Sequence, residues 1–513
     1  MRINVLDCTL RDGGYVNDFN FGASTIEKIK SGFCDANIDI IECGFLQSGK
    51  NDPERSLYGA AEQIKLPPNR DAQMFVAMIA FGDISASEIA KRQSDYIDGI
   101  RLTFHNSEWE ETKALAQNLM DKGYKVFIQP VGTLSYTDEE LLALIKQVNE
   151  LKPFAFYLVD TLGSMYKNDL MRLFFLVEHN LADGIALGFH SHNNMQLSFS
   201  NAMSLLELHT QRYLIIDSSI FGMGRGAGNL NTELITHYIN SNIENRYNIT
   251  PLLDLMDEII LPIYKYTPWG FSEPYYMAAI RGVHPNYASY LIDKQSMSMA
   301  KISRLLDVLP QNNRHLFKKS LIEEVYFADM RHTTNDAVAL KNLREIIGVR
   351  AVLVAVPGSS VKTHADSIGK YIAATNSFVI SVNFVPEQFT PDLVFIGNQR
   401  RYGQLRRNEI PVIVSSNIDA QNAFVIDYDS LRSGSSDSSG LMALRLLIQL
   451  DIKSAALAGY DGFSAGTNYY GKTYDNYLSG EAIENLNENM ETQLRKIHKR
   501  MKLNFVTPTA YRI

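Results

Sequence analysis

Eight short apolar runs recur at intervals of about 25–35 residues through the first half of the chain, which constrains the fold more than any other feature. They are Ile3–Asp7, Ile38–Cys43, Met74–Ile79, Gly99–Phe104, Lys125–Gln129, Ala155–Asp160, Ile185–His190 and Tyr213–Ser218. Amphipathic stretches lie between them: Ser24–Asn37, Ser85–Gln93, Glu108–Lys122, Asp138–Leu151 and Met195–His209. Strands alternating with helices predict an α/β fold. Either a doubly wound open sheet or a (β/α)8 TIM barrel would satisfy the alternation, and eight regular units favour the barrel.

A chain of 513 residues is too long for one ordinary domain. The barrel is expected over residues 1–245. A helical extension over the barrel is expected at 246–335, where the aromatic segments TPWGFSEPYY and RGVHPNYASYL interrupt a helical pattern. A Rossmann-like α/β domain is expected over 345–513, from the runs RAVLVAVPGSS, SFVISVNF, PDLVFIGN, IPVIVSSN and SAALAGYDG. The net charge of −8 gives no support for nucleic-acid binding. Three cysteines without a C-x-x-C pair fit a reducing cytoplasm. The N-terminus MRINVLDCTL has no long apolar core and reads as structure, not a leader. No stretch reaches the length of a membrane span, so no membrane partner is expected.

Two motifs carry chemistry. TLRDGG, Thr9–Gly14, follows the first strand, and GFHSHNN, Gly188–Asn194, ends the seventh. Alternate residues of a strand share a face, so His190 and His192 can point together into the barrel mouth, where Asp12 arrives from strand one. Two imidazoles and a carboxylate suit a divalent metal: Mn²⁺, Mg²⁺, Co²⁺ or Zn²⁺. Such an ion chelates a 2-oxo acid, and Arg11 beside it can stabilise the enolate left by carbon–carbon cleavage. Cys8 and Cys43 read as small buried residues.

TLRDGG, IIECGF (Ile40–Phe45), VDTLG (Val159–Gly163), GFHSHNN and GMGRGAGNLNTE (Gly222–Glu233) together resemble the motifs of the DRE-TIM metallolyase family. That family includes isopropylmalate and homocitrate synthases, 3-hydroxy-3-methylglutaryl-CoA lyase and 4-hydroxy-2-oxovalerate aldolase. The resemblance implies Asp12, His190 and His192 as metal ligands, with Asn229 ligating or supporting. It implies Arg11 as the enolate-holding arginine and Glu42 as the acidic residue beside the metal. The lyase branch has a cysteine in its glycine-rich loop, which GMGRGAGN lacks, and GRGAGN stands closer to the aldolase branch. The aldolase has a histidine shortly after RDG; here Tyr15 follows. Tyr15, His284 and Tyr276 are therefore the candidates for proton transfer, and His105, after the fourth strand, is a further candidate to line the mouth.

In the C-terminal part, VPGSS (Val356–Ser360), SVN (Ser381–Asn383), SSG (Ser438–Gly440) and GYDG (Gly459–Gly462) resemble segments of bacterial sialyltransferase-like proteins and of the archaeal 6-hydroxymethylpterin diphosphokinase type. The resemblance implies a nucleotide or nucleotide-sugar site at Ser438, Ser439 and Asp461, with Ser435 and Ser436 before the same helix. The role of GNQRRYG is open, and the basic run RKIHKRMK (Arg495–Lys502) reads as a solvated helix face.

The expectation is a bifunctional, homo-oligomeric enzyme: a metal-dependent aldolase taking a 2-oxo acid and an aldehyde, placed by the fusion in surface-sugar synthesis. A Claisen-type acyl-CoA synthase and a non-catalytic binding scaffold are the alternatives.

Overall fold

In the computed structural model, which describes residues 2–208, 210–294, 297–330, 334–405, 410–433, 438–464 and 480–513, the chain forms two units. One comprises Met1–Ser289 with Pro310–Phe317, the other Tyr290–Leu309 with Lys318–Ile513. The helices that follow Asn242 are thus shared between them.

The first unit is a closed parallel barrel. Its strands are β1 (Ile3–Asp7), β2 (Ile40–Leu46), β3 (Met74–Ala80), β4 (Gly99–Phe104), β5 (Lys125–Pro130), β6 (Ala155–Asp160), β7 (Ala186–Ser191) and β8 (Leu214–Ser218). Each pairs with the next, and β1 also pairs with β8 from Ile3↔Leu214 to Asp7↔Ser218, which closes the ring. Side-chain alternation splits the apolar residues into two cores. Leu6, Cys8, Ile40, Val76, Phe127, Tyr157 and Ile215 fill the lumen. Residues of opposite parity, such as Val5, Ile41 and Leu158, pack under the surrounding helices.

Six helices cover the barrel: α1 (Ala23–Asp35), α2 (Trp109–Asp121), α3 (Asp138–Leu151), α4 (Lys167–Asn180), α5 (Ser198–Leu206) and α6 (Thr232–Asn242). The helix expected at Ser85–Gln93 is a single 3-10 turn, Ala86–Glu88. Its carbonyls are taken from outside: Lys122 Nζ donates to Ala86 and, at 2.6 Å, to Ile89, and the Tyr124 hydroxyl donates to Ala90 at 3.2 Å. Ile89 is meanwhile buried in the core, so the segment runs extended where a helix would continue.

The second unit holds a seven-stranded parallel sheet: β9 (Val352–Ala355), β10 (Phe378–Val382), β11 (Leu393–Ile396), β12 (Val412–Ser415), β13 (Phe424–Ile426), β14 (Ser454–Ala458) and β15 (Lys502–Phe505). The spatial order is β13-β12-β11-β10-β9-β14-β15, so the winding reverses between β9 and β14, as in a Rossmann-type sheet. Among the described residues no helix is long and apolar enough to cross a membrane.

Candidate metal centre and its surroundings

TLRDGG leaves β1 as a tight turn in which the Arg11 and Asp12 amides both donate to the Cys8 carbonyl, at 3.1 and 2.8 Å. This swings Asp12 over the barrel mouth. His190, inward on β7, and His192 just beyond it share the same parity. Asp12 Oδ2 lies 3.7 Å from His190 Nε2 and 4.0 Å from His192 Nε2. These distances are too long for hydrogen bonds and match donors arranged about a common point. All three ligand atoms lie within 4.8 Å of one another. Asn229 joins them from the loop after β8, where its residue bridges to His192. Gly224 makes room for it: a Cβ there would stand 2.2 Å from the Asn229 amide nitrogen.

A buried ionic chain supports this group. Arg11 donates through Nε to Glu42 at 2.8 Å and pairs through Nη1 with Asp12 at 3.2 Å. Glu42 is held on its other side by Arg101 at 2.7 Å. Arg101 pairs in turn with Asp217, whose Oδ2 also lies 3.0 Å from His190 Nδ1. The Arg101 guanidinium lies over the Tyr157 ring at 5.0 Å, and that ring crosses the lumen against Gly188, where a Cβ would stand 2.3 Å from it.

Burial alone would raise the Asp12 carboxyl, but Arg11, His192 and His190 outweigh it and hold the group well below the carboxylate range. Asp217 is likewise lowered against its burial, by Arg101 and His190. Burial pushes His192 down to about 4, so its imidazole is neutral at ordinary pH, the form that ligates.

The chain counts three carboxylates, Asp12, Glu42 and Asp217, against two guanidinium groups, Arg11 and Arg101. One negative charge is left over in a buried place. Asp12 Oδ2 and Asn229 Oδ1 are buried and accept no hydrogen bond. An excess negative charge, two orphaned acceptors and two imidazole nitrogens fit a divalent cation.

The mouth holds a second cation that the motif reading passed over. Arg225, in the glycine-rich loop, lies 5.6 Å over the Tyr15 ring and places Nη2 2.7 Å from His284 Nε2. Tyr15 is 47% exposed, and the partial desolvation of its phenol raises it, while burial pushes His284 down to about 3. The structure thus brings Tyr15 and His284 together around Arg225. Tyr276 is exposed and packs on Phe271, at 5.9 Å. His105 follows β4, its backbone amide capped by Glu108 at 2.7 Å. Cys8 and Cys43 are buried, and burial raises both thiols, Cys43 to about 12, so neither is an activated nucleophile.

In the second unit, Ser438 caps the helix Ser439–Gln449, its hydroxyl accepting from the Leu441 amide at 3.3 Å. Ser439 packs where a Cβ on Gly397 would stand 2.2 Å from its hydroxyl. Asp461 accepts from the Ser360 amide at 2.9 Å and from the Ser359 hydroxyl at 3.3 Å, bracing the turn after β9. Ser435 and Ser436 lie outside the described residues. In GNQRRYG, Asn398 caps the short helix Gln399–Gln404 and Gln399 accepts from the Asp419 amide at 2.8 Å, a structural role for both.

The fold and this site define a TIM-barrel protein with an Asp–His–His cluster, buried at Asp12 and His190 and half-buried at His192, at the carboxyl ends of its strands. The chain belongs to the HMGL-like family, whose model matches residues 2–259. It is 26% identical over 236 residues to an oxaloacetate decarboxylase of Mycobacterium tuberculosis, covering 45% of this chain and 68% of that one. It is 24% identical over 274 residues to a 4-hydroxy-2-oxovalerate aldolase of Pseudoalteromonas translucida, covering 51% and 77%. Among solved structures it is similar to the N-terminal domain of a candidate aldolase from Bacteroides vulgatus, at 22% identity and a TM-score of 0.49, covering 59% of this chain and 99% of that one.

Proposed function

We propose that the barrel is a divalent-metal-dependent carbon–carbon lyase of the aldolase type, cleaving a 2-oxo acid through a pyruvate-like enolate. One observation carries this reading. Arg11 is pinned by Glu42 and Asp12 through two of its nitrogens, and its third, Nη2, is buried with no hydrogen-bond partner beside the Asp–His–His cluster. A cation fixed on two sides with one donor left over is preorganised for an oxyanion. The names of the relatives, an aldolase and a decarboxylase of 2-oxo acids, point the same way.

Asp12, His190 and His192 would hold the ion, with Asn229 beside them. When bound, it supplies positive charge at the carboxylate and carbonyl oxygens of the oxo acid. Arg11 Nη2 donates to the oxygen that gains charge as the C3–C4 bond breaks. The electrons of that bond stay on the pyruvate half, and the hydroxyl at C4 gives up its proton to solvent as the aldehyde forms, while the half-exposed Tyr15 regains from solvent the proton it delivers. Tyr15 remains protonated at neutral pH, and its hydroxyl suits delivery of a proton to C3. Glu42 does not react; shared by Arg11 and Arg101, it fixes the direction of the Arg11 fork.

The test is release of pyruvate from a 4-hydroxy-2-oxo acid by the metal-loaded protein, and its loss on chelation. Thiol release from acetyl-CoA with a 2-oxo acid, without pyruvate release from the hydroxy acid, would contradict it in favour of a Claisen-type synthase.

A further inference from the structure

His284 and Arg225 present a hydrogen-bonding conflict. The Asn286 amide donates to His284 Nδ1 at 3.2 Å, while Arg225 Nη2 faces His284 Nε2 at 2.7 Å. A neutral imidazole has one N–H and one lone pair. If Nδ1 accepts from Asn286, the proton sits on Nε2 and points at a guanidinium that can only donate. If Nε2 accepts from Arg225, Nδ1–H confronts the Asn286 amide. In either tautomer one donor has no acceptor. The ring cannot turn away freely, because it is buried, is stacked on Phe317 at 5.9 Å, and its backbone amide donates to Arg314 at 2.7 Å.

Arg225 also has no carboxylate at ion-pair distance among the described residues; its contacts are His284 and the Tyr15 ring. It differs in this from Arg11 and Arg101, each of which holds two acids. Two aromatic rings separate it from Arg11. The Arg11 guanidinium lies 6.0 Å from the Phe45 ring, Phe45 lies 6.0 Å from Tyr15, and Arg225 covers Tyr15. The mouth therefore has a cation at each end of an aromatic wall, one neutralised and one waiting.

We propose that Arg225 and His284 Nε2–H together bind a second carboxylate, so that the substrate is a 2-oxo diacid. This rests on the lyase reading for the oxo-acid end and names what lies at the other end. Two donors side by side suit the two oxygens of one carboxylate, and accepting from both removes the conflict in the ring. The gripped carboxylate is one that stays on the leaving fragment, because its loss as neutral carbon dioxide would forfeit the ion pair. The leaving aldehyde is then itself an acid.

The test compares two five-carbon probes that differ only at the far end: 2-oxoglutarate, ending in a carboxylate, and 2-oxovalerate, ending in a methyl. Calorimetry on the full metal-loaded chain is expected to show 2-oxoglutarate binding about 10- to 100-fold tighter, the size of a charge-assisted pair. In Arg225→Met the ratio should collapse toward one, and in Arg225→Lys it should fall to an intermediate value. Equal affinities in the unaltered protein, a ratio that survives Arg225→Met, or no binding of either acid overturns the proposal. Binding does not require turnover. Pyruvate proton exchange in the same preparations reports separately on the enolate reading, so the two can fail independently.

Discussion

His190 Nδ1 stands 3.0 Å from Asp217 Oδ2, which leaves Nε2 as the nitrogen that faces Asp12. A carboxylate on Nδ1 fixes the tautomer with its proton there and the lone pair on Nε2, the nitrogen that can ligate. Arg101 holds Asp217 in turn, so the orientation of the imidazole is set from the floor of the barrel.

Asp217→Asn should therefore weaken metal binding by about 10- to 100-fold while leaving the fold intact. Titration of Mn²⁺ by calorimetry checks this. An unchanged affinity would mean that Asp217 only neutralises Arg101.

Arg11→Ala should retain the metal but lose about 10²–10³ in the rate of enolate formation, as for removal of one oxyanion donor. Metal content and proton-exchange rate, measured on the same sample, separate the two effects. Full activity in this variant would refute the role given to Nη2.

Gly188→Ala should destabilise the barrel by roughly 1–3 kcal/mol, because the new methyl meets a buried Tyr157 ring that has Arg101 on it. Thermal unfolding of the metal-free protein reads this directly.

Asp7 provides a pH signature. Burial raises its carboxyl to about 7, against Thr232 and Thr9, which donate to it. A folded-state value above the unfolded one means that the favourable contribution is fully present below about pH 4 and is lost as pH rises through about 7. The stability difference between the unaltered protein and Asp7→Asn should therefore shift in favour of the variant across that window. Denaturant titrations at pH 5 and pH 8 give the sign, and a difference independent of pH would contradict it.

The barrel strands were legible because a strand buried on both faces must be apolar along its length, and β1, β4 and β6 have the bounds the apolar runs give. Asp12, His190 and His192 were legible because H-x-H puts both rings on one face of a strand end. Arg101 and Asp217 were not, since each is one charged residue inside an apolar strand and the two lie 116 positions apart. The available signal was parity: a charge on the inward face of a strand that must be buried needs a buried partner. Arg225 was hidden among glycines that read as a loop. The 3-10 turn at Ala86–Glu88 escaped because the lysine and tyrosine that take its neighbours' carbonyls come from around the next helix.

The most direct test of the central claim is proton exchange at the methyl group of pyruvate. The protein is incubated in D₂O with Mg²⁺ and pyruvate, beside Asp12→Asn, and the methyl signal is followed by NMR. Formation of an enolate at this site predicts metal-dependent loss of that signal in the unaltered protein and none in Asp12→Asn. A methyl signal that persists with metal bound would contradict it.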